Sequence, residues 1–194
     1  MGDDGLRQGD QYQWWTREVF ALRRSVRYHA RRQAFFELWH NTTSAASILL
    51  GAGTVGALTH STVPLAQALS VLFPLLITLL STFNLVWGSG RRARLHNDLY
   101  RRYVELEREM ASVTDPDERA CRSFGARRTV IEADEPPTMF IVKVLSHNEV
   151  VRANGAGDCF EVPFWQRWLA HVCAFPNATF AAGTSALSKS AVTR

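Results

Sequence analysis

Between Leu38 and Gly90 the chain has no Asp, Glu, Lys or Arg, although 21% of its residues are charged. So long a stretch without an ionised side chain is either deeply buried or dissolved in lipid. A polar turn, Thr59-His60-Ser61-Thr62, divides it, and Pro64 follows where a helix can begin, since the N–H that proline lacks would have no partner there. Two spans result, 38–58 and 65–87. The second, 23 residues long, makes a helix of roughly 34 Å and the first one of roughly 31 Å, against a hydrocarbon core of about 30 Å. Neither has the polar stripe that a core helix of a soluble bundle turns to water, so both read as transmembrane helices.

The spans differ in strength. Thirteen Leu, Ile, Val or Phe in the second contribute roughly −4 to −8 kcal/mol to insertion, before the costs of Gln67, Pro74 and Asn84. In the first, Ile48, Leu49, Leu50, Val55 and Leu58 contribute roughly −1.5 to −3 kcal/mol, partly cancelled by Ser and Thr. The second span inserts alone; the first needs its partner. Arg23, Arg24, Arg27, Arg31 and Arg32 precede the hairpin, Arg91, Arg92 and Arg94 follow it, and the turn between the spans has no arginine. By the positive-inside rule both termini are cytoplasmic. Arg31, Arg32, Trp39, Trp87, Arg91 and Arg92 are the expected interface anchors, with each indole keeping its N–H wet. The net charge of +4 is accounted for by these flanking arginines, so no nucleic-acid partner is expected.

The fold predicted is all-α: a flexible segment 1–10, a helical hairpin over 11–113, a cytoplasmic helical region over 114–175, and a mobile tail over 176–194. Tyr12, Val19 and Val26, interleaved with Trp15, Leu22, His29 and Phe36, form a coiled-coil-like stripe, and Leu95, Leu99, Leu106, Met110 and Val113 continue one after the second span. Both membrane helices are therefore expected to run on into the cytoplasm and pack as an antiparallel stalk. Asp115-Pro116-Asp117-Glu118 reads as a helix start capped by Asp115, and a further helix runs from Pro137 to about Asn154-Gly155. A last helix, Pro163 to Ala174, gathers Phe164, Trp165, Trp168, Leu169 and Val172 on a face expected to pack on the bundle. Residues 1–10 do not read as a signal peptide, and Leu6 stands where a myristoylation signal has Ser or Thr.

Ser44, Ser47, Gly51 and Thr54 make a ribbon of small side chains on the first span, suited either to close helix packing or to lining a pore in an oligomer. Pro74 should kink the second span or free a carbonyl, and Asn84 should find a partner across a helix interface or near the headgroups. Arg24 with His29, and Arg91 with His96, show the Arg-to-His spacing of HEPN-type ribonucleases, in which such pairs act at the attacked phosphate. His147-Asn148-Glu149 are adjacent on a helix and so converge poorly on a metal ion. The three cysteines, Cys121, Cys159 and Cys173, fit reduced thiols. We expect no cofactor, no metal and no enzymatic activity.

The chain resembles the SLATT family, two-transmembrane effectors of bacterial conflict systems, over roughly Gln11 to Ala153. The residues that carry the likeness are Arg27-Tyr28-His29-Ala30-Arg31-Arg32-Gln33-Ala34-Phe35, Leu50-Gly51-Ala52-Gly53-Thr54-Val55, Leu85-Val86-Trp87 and Ala93-Arg94-Leu95-His96. Ala133-Asp134-Glu135-Pro136-Pro137 and His147-Asn148-Glu149 add to it. The resemblance implies a homo-oligomer that breaches the bacterial inner membrane when a partner senses infection. With no nucleotide-binding or sensor domain in this chain, it also implies a separate cytosolic sensor or nucleotide-signalling protein. The alternatives are a membrane scaffold or phage-encoded membrane protein that recruits a cytosolic partner, and a membrane-tethered HEPN-like ribonuclease.

Overall fold

The structure, a computed structural model, describes residues 3–59, 62–155, 159–175 and 182–183. It is mostly helical: α1 (Asp3–Thr59), α2 (Pro64–Trp87), α3 (Ser89–Ala111), α4 (Glu118–Ala133), α5 (Phe140–Ala153) and α6 (Phe164–Leu169). Two short strands, β1 (Cys159–Phe160) and β2 (Ala182–Gly183), pair antiparallel and are the one departure from the all-α reading among the described residues. The chain divides into two units, Gln33–Leu95, and Met1–Arg32 with His96–Arg194.

The hairpin unit contains the two stretches long and apolar enough to cross a membrane. α2 buries none of its residues, and Ile48, Leu49 and Val55 of α1 are likewise exposed. Hydroxyls in α1 bond back along their own helix: Thr43 donates to the Trp39 carbonyl, Ser47 to Thr43 and Thr54 to Leu50, each at 2.9 Å. In α2, Thr78 does the same to Pro74 at 2.8 Å, and the carbonyl that Pro74 deprives of a helical N–H is that of Ser70. The second helix does not run on unbroken as expected. Gly88, at φ 61°, takes the left-handed conformation and donates its N–H to the Asn84 carbonyl at 2.9 Å, which ends α2 before α3 begins.

The two spans pack tightly at Gly53, where an added Cβ would lie 2.7 Å from Cε2 of Phe73. A Cβ on Gly51, the glycine of the predicted ribbon, would meet nothing within 4 Å. At the other end of the hairpin, aromatic rings join the helices, with Trp39 and Trp87 centroids 5.1 Å apart and Phe83 and Trp87 5.2 Å apart.

In the other unit, Trp15, Leu22, Leu99, Tyr103, Leu106, Met110, Cys121 and Ile131 form a core drawn from α1, α3 and α4. Most of the expected stripes are in it, and Val19, Val26 and Val113 pack against it. Tyr12 and Leu95 are exposed instead. A second cluster joins Tyr28, Ile141, Val142 and Ala170. α1 starts at Asp3, well before Gln11, so most of the segment expected to be flexible is helical. The cap of α4 is Asp117, not Asp115, because the Asp117 carboxylate accepts the Ala120 N–H at 2.6 Å.

α5 begins at Phe140, later than Pro137, since extended Met139 gives its N–H to the Tyr28 hydroxyl at 3.0 Å. It ends as expected, with Gly155 left-handed at φ 65°. α6 stops at Leu169, and the chain turns through Phe175 (φ 45°) before Pro176, which disfavours helix in the residue ahead of it. Its aromatic face is not packed away: Phe164, Trp165, Trp168 and Val172 are exposed. The tail over 176–194, expected to be mobile, lies outside the described residues apart from β2.

Because only Gly53 is tightly opposed, Gly53→Leu should destabilise the hairpin by about 1–3 kcal/mol, and Phe73→Ala should recover part of the loss. Gly51→Leu should leave the fold unchanged. Thermal unfolding of the detergent-solubilised chain measures all three; equal effects at both glycines would contradict the packing described.

Candidate functional site

His29 and His96 each occupy a core position on their helix, where apolar neighbours exclude water, and the fold brings them together. Their Nδ1 atoms lie 2.9 Å apart, and the side chains are 0% and 2% exposed. Nε2 of His29 is 3.0 Å from Glu135 Oε1, and the Tyr103 hydroxyl donates to the same oxygen at 2.6 Å. Tyr103 also stacks on His29, with centroids 5.5 Å apart.

With the Glu135 carboxylate accepting, Nε2 of His29 carries a hydrogen. In a neutral pair His29 then accepts at Nδ1, and His96 holds its hydrogen on Nδ1. Burial pushes the Glu135 carboxyl up, but the hydrogen bonds from His29 and Tyr103 outweigh it and hold the group below the usual carboxylate range. Burial, then donation to Glu135, pushes the Tyr103 phenol strongly up.

The network is a clasp. It ties the loop before α5 to α1 and α3 by charge-assisted bonds, which are stronger than neutral ones. The cavity beside it, lined by Arg24, Tyr28 and Glu135 among others, measures only about 70 Å³, room for two or so waters. Arg24 lines this cavity, whereas the His29 ring is buried in the clasp. Arg91, of the second Arg–His motif, belongs to the hairpin unit and His96 to the other.

Around the clasp, Arg31 and Arg32 of the expected anchors and the His147-Asn148-Glu149 run make contacts within the fold. Arg32 is buried and donates to the His171 carbonyl at 2.8 Å, so it is not the interface anchor expected. Arg31 pairs with Glu149 at 3.1 Å, and Arg27 approaches the same carboxylate. Of the His147-Asn148-Glu149 run, His147 lies against Phe20 and Phe160. Asn148 clasps Phe160 by its N–H (2.8 Å) and carbonyl (2.7 Å), and Glu149 takes the arginines. The sequence reading missed Glu135, Tyr28 and Tyr103. A histidine at a core position of each of two stalk helices was the available signal, since two such groups require polar partners.

The hairpin unit holds a second arrangement, a groove of about 710 Å³ between α1 and α2. His40, Thr43, Ser44 and Ser47 line one side, and Ser81, Asn84, Ser89 and Arg91 line the other, with Ile48, Leu80 and Leu85 forming its apolar part. Asn84 finds its partners within the hairpin: Nδ2 approaches His40 Nδ1 at 3.5 Å, and its Oδ1 accepts from the Ser89 hydroxyl. Of the ribbon, Ser44 and Ser47 line the groove, whereas Gly51 and Thr54 do not. Pro74 lies in α2 away from it, on an exposed surface. Trp87 is half-buried, and Trp39 turns its Nε1 inward, buried without an acceptor among the described residues, contrary to the wet N–H expected. The ring's packing on Phe83 and Trp87 fixes that orientation. Arg92 lies over the Phe36 ring at 5.8 Å. The chain matches no protein-family model, no curated protein and no solved structure.

Glu135→Ala strands two buried donors, so it should cost about 1–3 kcal/mol for each, read as a lower unfolding temperature. Burial, then the nearby Arg32 and Arg31, holds the His171 imidazole down to about 4. Its folded-state affinity for protons is thus lower than in the unfolded chain, where the value is about 6.5. The resulting stability should be full above about pH 6.5, fall as the pH drops, and be gone below about pH 4. His171→Gln should flatten that acid limb in unfolding scans monitored by tryptophan fluorescence; an unchanged limb would show that His171 does not contribute.

Proposed function

We propose that this chain is an integral membrane protein of the bacterial inner membrane, a two-helix hairpin with both termini cytoplasmic. It acts as a homo-oligomer that forms a pore or otherwise perturbs the bilayer, in the manner of the SLATT effectors it resembles. The exposure of α2 carries this reading: Val71, Leu85 and Val86 are 71%, 82% and 79% exposed on a helix with no buried residue. Leaving such a side chain in water instead of burying it costs about 1.5–3 kcal/mol, and lipid removes the cost. The arginines on both flanks of the hairpin support the orientation.

Two helices enclose no channel, so a pore takes several copies. Gly51 and Gly56, with open space where a Cβ would stand, offer a second copy a close approach. The role in anti-phage conflict, with a separate cytosolic sensor as trigger, rests on the resemblance. One observation favours the scaffold alternative: the exposed aromatic face of α6, with Phe164 and Trp168 75% and 76% exposed, suits a cytosolic partner. The ribonuclease alternative loses support because both imidazoles are buried and the cavity beside them is small.

The purified chain should require detergent to stay monodisperse and should crosslink to itself in native membranes. Induced expression should collapse the signal of a membrane-potential dye. Polarised, growing cells carrying the full-length protein in the membrane would rule against the pore and leave the scaffold.

A further inference from the structure

We infer that the groove between α1 and α2 binds an anionic phospholipid, with the headgroup phosphate at Arg91 and an acyl chain along Ile48, Leu80 and Leu85. This inference rests on the membrane reading above. Arg91 is the one strongly cationic residue of the lining, and no Asp or Glu stands with it. The arginine makes no ion pair among the described residues, and the charge-free stretch that ends at Gly90 supplies no counter-ion. A cation in a carboxylate-free groove favours an anion, more strongly the less water surrounds it.

Hydrogen-bond donors line the same groove. His40 accepts from Asn84 at Nδ1, which leaves its Nε2–H to donate, and the hydroxyls of Ser44 and Ser81 donate to nothing among the described residues. A guanidinium, an imidazole N–H and hydroxyls are the donor set that a phosphate takes. A free phosphate would have no use for the rest of the groove, whose apolar part is exposed leucine and isoleucine. An amphiphile satisfies both parts. The level is also suitable, because the groove includes the charged end of the hairpin, where Trp39 and Trp87 meet, and indoles gather at headgroup depth.

The test uses the full-length chain in a non-ionic detergent, with lipid retention read by native mass spectrometry. Phosphatidylglycerol and phosphatidylcholine of the same acyl chains are offered at equal concentration. The wild type should retain phosphatidylglycerol roughly tenfold better, the expected scale of one charge-assisted contact. Arg91→Gln should erase that preference, while Arg92→Gln, at the residue that lies over Phe36, should keep it. Equal retention of the two lipids by the wild type overturns the proposal whatever the variants do, and so does a preference that survives Arg91→Gln. Displacement of the lipid by inorganic phosphate at matching concentration overturns the lipid and leaves a simple anion site. A chain that stays monodisperse without detergent defeats the membrane reading itself, whereas one that needs detergent but shows no lipid preference defeats only this site.

Discussion

Apolar surface that a chain cannot cover for itself has to be covered by something else. α2 is predominantly apolar and none of its residues is fully buried, so its contacts with the first span leave most of its surface uncovered. A soluble protein of this length buries well over half of the surface its unfolded chain exposes, and its core helices show one wet face. Here the arrangement is reversed: the long, strongly apolar α2 buries none of its residues. In the reading proposed above, lipid and further copies of the hairpin cover that surface.

The unit formed by residues 1–32 and 96–194 follows the rules of water. Its core is leucine, isoleucine, tryptophan, tyrosine, methionine and cysteine from three helices, and ion pairs such as Arg122 with Glu118 lie at the surface. Surface pairs of this kind contribute little singly. The polar node is different, because His29, His96 and Tyr103 are buried and each needs a partner inside. Glu135 supplies the acceptor for two of them, and the loop before α5 is held in place as a consequence.

Much of this was legible in the sequence, and what was missed has physical causes. Charge depletion located the spans, and the heptad stripe found Trp15, Leu22 and Phe36, since both are periodic signals that tertiary contacts reinforce. Tyr103 escaped notice because a tyrosine between Leu99 and Leu106 is ambiguous until its hydroxyl has an acceptor. Glu135 entered only as part of the run 133–137 that adds to the family resemblance, and its partners lie 106 and 32 positions away in the chain. The ribbon on α1 was seen, but the glycine that meets the other helix is Gly53, because the position of Phe73 across the hairpin decides it. Arg32 was read as an anchor by its place in the sequence, yet its guanidinium is taken by a carbonyl far along the chain.

In the membrane reading proposed above, the Ser and Thr residues of the first span cost less than its composition suggests. Its composition reads as marginal for insertion because Ser and Thr interrupt the leucines. A hydroxyl is expensive in hydrocarbon when its hydrogen has no acceptor, and much less so when it bonds to a carbonyl one turn back. Thr43, Ser47 and Thr54 all do the latter, so their donors need neither water nor a partner helix. What the span then requires of α2 is shape: a glycine where Phe73 arrives, and an aromatic cluster at the opposite end. In that reading, what joins the first span to α2 is packing more than polar satisfaction. The hydroxyl ribbon is free to meet whatever lies on the open side of Gly51.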